Sequence, residues 1–239
     1  MTDGQPAIVE VTALSKQYGG LRPLRVRRLI VASGDRIAIG GVDAAAAEAL
    51  IHLMTGAAVA DEGTVVVAGR DTRAIATDTE WLASLDRFGI VTERAVLIDA
   101  LSIAGNLALP ISLSIDPMPD EVRRQVEALA TEVGLASGRL DAAAGTLTAE
   151  ERVRVHVARA LAPRPEILLL EHPTARVDPP AAGRLGDALR AIAETRRIGF
   201  VALTEDAAFA RASGATRLRL VPATGELLTE TARWWPRWR

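Results

Sequence analysis

Short apolar runs alternate along the chain with longer segments in which apolar residues recur every three or four positions. Runs of the first kind, in which apolar residues alternate with polar ones or follow one another directly, are typical of strands. They predict strands at residues 8–14, 26–31, 36–40, 64–68, 88–92, 167–170, 198–203 and 218–221. The run at 167–170 is apolar at every position, which favours a strand buried on both faces of its sheet.

Helical periodicity and helix-boundary residues mark the segments between these strands. They predict helices at residues 44–54, 80–85, 98–114, 119–133, 148–161, 179–195 and 207–212. Asp43 stands at the N-cap position of the first helix and Gly56 at its C-terminal end, while Pro110 limits the third helix. Because apolar strands alternate with helices, the pattern predicts an α/β protein built around a largely parallel sheet.

Composition narrows the possible functions. The chain has 239 residues, 49% hydrophobic and 24% charged, so we expect one or two globular domains. Its formal net charge of −2 argues against a nucleic-acid-binding protein that relies on a strong positive field. It contains no cysteine, which excludes disulfides and thiolate metal sites, and Lys16 is its only lysine. Neither a leader-like N-terminus nor an uninterrupted apolar run of membrane length is found, so we expect a soluble cytoplasmic protein.

Several short motifs follow one another in the second half of the chain. Residues 158–162 read Ala-Arg-Ala-Leu-Ala, and Pro165 precedes the apolar run at 167–170. Residues 173–175 read Pro-Thr-Ala, and residues 178–179 read Asp-Pro. In this order and spacing the motifs resemble the ATP-binding subunits of ABC transporters.

The resemblance runs from about Ile8 to Leu228 and implies a P-loop NTPase-like fold, that of an ABC ATPase, over residues 1–228. A helical insert is implied at roughly residues 93–162. The remaining tail, residues 229–239, is aromatic and basic. It is either a docked or frayed C-terminus or a surface that contacts a partner or a lipid interface.

The same resemblance implies which parts of the chain form the sheet. A mostly parallel sheet should be built by residues up to about Thr92 and from about Pro163 onward. The strands at 37–39 and 167–170 should then lie in one sheet. Finding them in different sheets would contradict the resemblance.

The phosphate-binding loop of the family has the pattern G-x-x-G-x-G-K-[ST]-[ST], in which glycines approach the phosphates, lysine reaches the terminal ones and a hydroxyl holds Mg²⁺. In the aligned segment Gly41 is the one glycine that remains. Ala47 stands at the lysine position, Glu48 at the metal-binding hydroxyl and Ala49 at the next hydroxyl. We expect Asp43 to take up some N–H groups of the helix itself and Glu48 to repel any phosphate.

Two further positions hold exchanged residues. In the family a buried strand ends in Asp-Glu, which hold Mg²⁺ through water and polarise the attacking water, whereas here the pair is Glu171-His172. The family's switch histidine, which contacts the γ-phosphate, aligns with Glu205. No catalytic group is therefore intact, and these three residues are degenerate equivalents. His172 and Glu205 could close the gap as a direct ion pair, or both could be exposed side chains facing water.

The other site positions are altered as well. The helical-insert glutamine, which senses Mg²⁺ and couples to the membrane subunit, aligns with Glu93, and the D-loop aspartate aligns with Asp178. Tyr18 matches the aromatic residue that stacks on adenine, or it is a packing residue at the end of a strand. The family's Leu-Ser-Gly-Gly-Gln signature aligns with Leu147, Thr148, Ala149, Glu150 and Glu151. Glu150 places an acid where the ATP of a partner subunit would lie.

These replacements predict a pseudo-ATPase cassette with little or no ATP hydrolysis and with no cofactor or metal. It would engage a transmembrane permease, or dimerise with itself or another ABC ATPase, at the inner face of the cell membrane. Two alternatives stay open. One is a working ATPase that uses ATP and Mg²⁺ through non-standard groups, and the other is a soluble regulatory scaffold unrelated to transport. Thermal stabilisation by nucleotide separates the pseudo-ATPase from the working ATPase.

Overall fold

The structure, a computed structural model, describes residues 7–92 and 94–230. Its strands are β1 Ala7–Lys16, β2 Leu24–Ala32, β3 Arg36–Gly40, β4 Glu62–Val67, β5 Arg70–Asp71, β6 Phe88–Val91, β7 Ile167–Glu171, β8 Gly199–Leu203, β9 Thr216–Val221 and β10 Glu226–Thr229. Its helices are α1 Ala44–Met54, α2 Asp78–Leu85, α3 Ile103–Ala108, α4 Asp120–Glu132, α5 Ala149–Leu161, α6 Pro179–Arg196 and α7 Ala207–Ala212. Within these residues no helix has the length and apolarity needed to cross a membrane.

A six-stranded sheet in the order β10-β9-β3-β8-β7-β6 forms the centre of the fold. All its strands run parallel except β10, which pairs antiparallel with β9 at the edge. β3 and β7 flank β8, because Ile37 and Leu169 lie opposite the same residue, Val201. The prediction that residues 37–39 and 167–170 share one sheet is confirmed.

A second sheet of four strands, in the order β2-β1-β4-β5, is antiparallel throughout. The expectation that all strands up to about Thr92 join the parallel sheet is therefore wrong for β1, β2 and β4. The physical reason is visible in β2, where Val26 is buried and its neighbours Arg25 and Arg27 are exposed. Burial on one face only is typical of antiparallel strands, since parallel strands are usually covered on both faces.

The core consists of two groups of buried apolar side chains, one on each face of the central sheet. On one face Leu169 and Val201 pack with α1 and the four-stranded sheet. On the other face Leu168 and Phe200 pack with α3, α4, α5 and α6. α1 is thus held between the two sheets, and its Ala47 has no solvent exposure.

The third helix is much shorter than the apolar spacing predicted. α3 begins at Ile103, and the segment before it is held by Asn106, which is completely buried. The Asn106 side chain accepts a hydrogen bond from the Ile98 N–H at 2.9 Å and donates one to the Ile98 carbonyl oxygen at 3.0 Å. This side chain replaces the helical hydrogen bonds of the residues before Ile103, so the predicted helix at 98–114 is wrong over its first part.

Side chains cap the three helices that start at predicted site positions. Asp43 accepts a hydrogen bond from the Ala46 N–H at 2.8 Å, which confirms it as the N-cap of α1. Thr148 and Glu151 form a reciprocal capping box at the start of α5. Asp178 caps α6 in the same way that Asp43 caps α1. These caps satisfy backbone N–H groups that the first turn of a helix leaves without a partner.

The last described residues close the edge of the central sheet. β10 ends at Thr229, and the N–H of Glu230 donates to the Arg217 carbonyl oxygen at 2.9 Å. The aromatic and basic tail from residue 231 onward lies outside the described residues. The division into a domain at 1–228, an insert at 93–162 and a tail stays a prediction.

Candidate functional site

The ends of three neighbouring strands bring separate segments of the chain together. β3 leads into the loop before α1, β7 ends at Glu171, and β8 ends at Leu203. Since parallel strands end at the same edge of a sheet, the residues that follow them are neighbours. The N–H of His172 donates to the Leu203 carbonyl oxygen at 2.9 Å, and the N–H of Thr204 donates to Ile39 at the same distance. The sequence-predicted phosphate loop, buried acid and switch position therefore meet in one place.

The loop after β3 turns at Gly41, where φ is +82°. A Cβ at this position would lie 2.4 Å from the Leu220 carbonyl oxygen, so the turn requires glycine. The Asp43 carboxylate already holds one N–H at the start of α1. Ala47, at the position of the family's lysine, packs into the apolar core. The loop from Gly41 to Ala49 contains no basic residue.

The Glu205 carboxylate lies directly against this loop. It accepts a hydrogen bond from the Gly41 N–H and forms an ion pair with Arg219 at 3.2 Å. The approach is close, since a Cβ on Gly40 would lie 3.1 Å from Glu205 Oε2. An N–H group that the resemblance assigns to phosphate therefore has an acidic side chain of the same chain as its acceptor.

The predicted ion pair between His172 and Glu205 is wrong, because none forms within the residues that the structure describes. Glu205 turns to Gly41 and Arg219 instead. His172 has a φ of +43°, a left-handed conformation that is strained for histidine, and its side chain lines a cavity beside Thr92. Its Nε2 is buried without a hydrogen-bond partner among the described residues.

Arg94 joins the two acids at the family's metal-binding positions. Its Nη1 lies 2.9 Å from Glu48 Oε2 on α1, and its Nη2 lies 2.7 Å from Glu171 Oε2 at the end of β7. The Glu171 side chain is 2% exposed and that of Arg94 is 49% exposed, so one partner is deeply buried and the other reaches in from the surface. No role for Arg94 was evident from the sequence. Its neighbour Glu93, at the family's glutamine position, lies outside the described residues.

The signature segment is occupied by its own intramolecular contacts. Glu150 pairs with Arg184 at 2.5 Å and with Arg154 at 2.8 Å. The Arg184 hydrogen bond, together with that of Arg154, lowers the pKa of Glu150 below its ordinary value of 4.5. Thr148 and Glu151 are engaged in the capping box of α5. The acids of this segment thus begin a helix and bind arginines of the same chain.

Comparison with known proteins shows the family to which the chain belongs. The family model described as ABC transporter matches residues 25–175, which is more than half of the chain. The chain belongs to the ABC transporter family. Within that family it has the fold of the nucleotide-binding domain, the cassette.

Individual relatives agree with this assignment. The lipoprotein-releasing system ATP-binding protein LolD of Pseudomonas syringae pv. tomato is 30% identical over 178 residues, which cover 74% of this chain and 78% of that protein. The methionine import ATP-binding protein MetN of Escherichia coli K12 is 30% identical over 175 residues, which cover 73% of this chain and 50% of that protein. Each of these relatives is described as an ATP-binding protein of a transport or release system.

Solved structures show the same architecture. A dimeric ATP-binding cassette in a post-hydrolysis state bound to ADP and Pi matches with a TM-score of 0.74 and 22% identity, over 95% of this chain and 100% of that one. A nucleotide-free cassette matches with a TM-score of 0.74 and 19% identity, over 93% of this chain and 90% of that one. The predicted fold class, an α/β P-loop NTPase-like core with a mostly parallel sheet, is confirmed.

Tyr18 lies near Asp43 of the phosphate loop, and its side chain is half-buried. Its half-buried ring folds over Gly20, where a Cβ would come within 2.6 Å of the ring. Burial, and in second place the negative charge of Asp43, raise the pKa of the Tyr18 hydroxyl. The side chain packs against the same apolar group as Ala47, and the contact of Tyr18 with adenine stays a prediction.

A cavity of about 320 Å³ opens on the side of the cassette where Arg94 enters. It lies between the segment after β6, the start of α5 and the loop after β7, and its lining includes Val96, Leu97, Ala149, Val153, His156 and His172. Burial, with smaller contributions from Arg159 and Arg152, lowers the pKa of His156 to about 4. His156 is therefore neutral near pH 7. The cavity is lined by apolar side chains together with charged ones, among them Asp99, Arg152 and Arg176.

The residues that sequence analysis missed are all arginines that pair with the replaced acids. Arg94 pairs with Glu171, Arg184 with Glu150, and Arg219 with Glu205. A usable signal for Arg94 was its place directly after the family's glutamine position, where the family's metal is sensed.

Proposed function

We propose that this chain is an ABC transporter cassette that engages a permease or a second cassette without binding or hydrolysing ATP. The observation that carries the proposal is that side chains of the cassette itself lie in the positions that the resemblance assigns to the metal ion and to a phosphate. Arg94 lies between Glu48 and Glu171, and Glu205 accepts the Gly41 N–H.

The charges near the phosphate loop support the absence of nucleotide. A triphosphate brings several negative charges, and the family neutralises them with a lysine and Mg²⁺. Here the lysine position is Ala47, and the Glu205 carboxylate lies at the loop. Two like unit charges about 4 Å apart repel by about 4 kcal/mol at the dielectric typical of a protein surface. Displacing Glu205 would also break its contacts with Gly41 and Arg219, so the residues present do not fit Mg²⁺-ATP.

The groups that would activate water are also engaged elsewhere. Glu171, in place of the acid that holds the metal, binds the Arg94 guanidinium. His172, in place of the acid that polarises water, has its Nε2 buried in the wall of the cavity. A general base has to reach the proton that it removes, and His172 Nε2 is buried with no hydrogen-bond partner among the described residues. These positions support a cassette without hydrolytic activity.

A second cassette is not expected to restore activity. In the family each nucleotide lies between the phosphate loop of one cassette and the signature of the other. This chain has altered both, since Glu150 of the signature is neutralised by Arg154 and Arg184. With an intact cassette as partner, each composite site of the dimer would therefore contain one altered half, and with a second copy of this chain both halves of each site would be altered.

Exposed apolar residues next to the cavity support a binding surface for a partner protein. Val96 and Ile98 are 76% and 47% exposed, and both belong to the segment that follows the Glu93 position. The resemblance assigns coupling to the membrane subunit to that position. Exposed apolar residues beside a cavity are suited to bind a segment of another protein. The cassette would then lie at the inner face of the membrane through its permease.

Co-purification from native membranes tests this proposal. Tagged wild-type cassette should recover an integral membrane permease, identified by mass spectrometry. Val96→Glu should reduce recovery at least tenfold, while Leu21→Glu, on another fully exposed apolar residue, should leave it unchanged. Recovery of permease that is equal for both variants would contradict the docking surface. Recovery of soluble proteins alone would favour the regulatory scaffold, and ATP hydrolysis by the purified complex at this cassette would favour the working ATPase.

A further inference from the structure

One guanidinium bridges two acids from separate parts of the cassette. Arg94 Nη1 contacts Glu48 on α1, and Nη2 contacts Glu171 at the end of β7. The resemblance places the metal-binding hydroxyl of the family at Glu48 and the acid that holds the metal at Glu171. A guanidinium has its N–H donors in a fixed planar fork, which suits it to bind two carboxylates at once.

We propose that Arg94 is a built-in cation in the place of the family's Mg²⁺, and that it fixes residues 94–99 to the core in the absence of nucleotide. This inference rests on the proposed function, in which ATP and Mg²⁺ are not used. It adds that Arg94 keeps the same site in one conformation. Because the cation is covalently part of the chain, neither a change in nucleotide nor one in Mg²⁺ removes it.

The contacts of residues 94–99 show what Arg94 connects. At its far end this segment is joined to the helical side of the cassette, where Asp99 pairs with Arg152 at 3.0 Å and the Val96 carbonyl oxygen accepts from Arg159 at 3.0 Å. At its near end Arg94 binds the end of β7 and α1. The segment also forms one wall of the cavity. Arg94 therefore ties that wall to the phosphate-loop helix.

The two acids also predict what replaces Arg94 when it is removed. Without the guanidinium, two carboxylates that bound the same group face each other, one of them on a buried strand end. Hard divalent cations such as Mg²⁺ and Mn²⁺ prefer carboxylate oxygens as ligands. Arg94→Ala should therefore bind Mn²⁺ at this place, whereas the wild-type cassette should not.

Hydrogen–deuterium exchange of the full chain without nucleotide measures how firmly Arg94 holds residues 94–99 to the core. Peptides that cover residues 91–99 should exchange slowly in the wild type, at a rate that Mg²⁺ does not change. In Arg94→Ala they should exchange on the order of tenfold faster, because local opening no longer breaks two ion pairs. Arg87→Ala is the matched control, since it removes a surface ion pair with Glu166 at the other end of β6.

Mn²⁺ titration followed by electron paramagnetic resonance supplies the second readout. Arg94→Ala should bind Mn²⁺ and regain slow exchange in residues 91–99, and Arg94→Ala with Glu48→Gln should lose both effects. Should Arg94→Ala not fold, Glu48→Gln alone provides the test, because it removes one of the two contacts and should still speed exchange in this segment. Unchanged exchange in both variants would overturn the inference, as would Mn²⁺ binding by the wild type.

Failure of this inference differs from failure of the proposed function. If the wild-type cassette binds Mg²⁺-ATP, the proposed function is wrong whatever the exchange rates are. If it binds no nucleotide but Arg94→Ala exchanges like the wild type and takes up no Mn²⁺, the proposed function stands and the built-in cation is wrong.

Discussion

The carboxyl group of Glu171 is buried, and an ionised carboxyl group taken out of water loses several kcal/mol of hydration unless it is compensated. Its side chain is 2% exposed, and Arg94 approaches it to 2.7 Å. The pair between Glu205 and Arg219 is different, since both side chains are about half exposed. Exposed pairs contribute only about 0–1 kcal/mol. The buried contact of Arg94 therefore determines the arrangement of the site more than the exposed one does.

His156 makes the stability of the cassette depend on pH. Its pKa is lowered from 6.5 to about 4 in the folded chain, so the unfolded chain takes up the proton first as pH falls. The contribution of neutral His156 is present above the unfolded pKa and is lost as pH falls through the window from 6.5 to about 4.

We expect urea denaturation to show a fall in the free energy of unfolding across this window, and His156→Gln should make the curve flatter. The Glu150 carboxylate contributes at the acid end of the pH range. Because its pKa is lowered in the folded chain, its contribution to the free energy of unfolding is lost only as the pH falls below about 4.5. An identical slope between pH 6.5 and 5 in wild type and variant would show that burial of His156 is not the cause.

At the scale of helices and strands, local chemistry predicted more than long-range pairing did. The N-cap of α1 at Asp43 and the buried strand β7 were evident from the sequence, because a cap and an apolar run are local signals. The separation of β1, β2 and β4 into their own sheet was not predicted, since strand partners are chosen by tertiary packing. The site shows the same limit, because Arg94 and Glu171 are 77 positions apart and Glu150 and Arg184 are 34 apart.

The capping box of α5 gives a prediction at this scale. Thr148→Ala removes the hydroxyl that accepts the Glu151 N–H and should lower the free energy of unfolding by about 1 kcal/mol. Thr131→Ala is a control of the same chemistry, because the exposed Thr131 hydroxyl only donates to a carbonyl oxygen of its own helix. Chemical denaturation of both variants checks this, and equal losses would mean that Thr148 does not act as a cap.

For the whole molecule, the fold is that of an ABC cassette, whereas the charges at the site do not suit Mg²⁺-ATP. The family match and the neighbouring structures establish the cassette fold. Fold alone does not establish activity, which depends on the residues at the site. In this cassette Arg94 and Glu205 provide the positive and negative groups at the site from within the chain. We propose that this arrangement leaves no place for Mg²⁺-ATP.

Calorimetric titration of the purified wild-type cassette with ATP in the presence of Mg²⁺ tests this proposal. We expect no heat of binding up to millimolar ATP, and thermal melting in parallel should show no stabilisation. A ligand present at about 100 times its Kd stabilises a protein by about 2.7 kcal/mol, so binding of even moderate affinity would be visible. Saturable binding of ATP with a micromolar Kd would contradict this expectation.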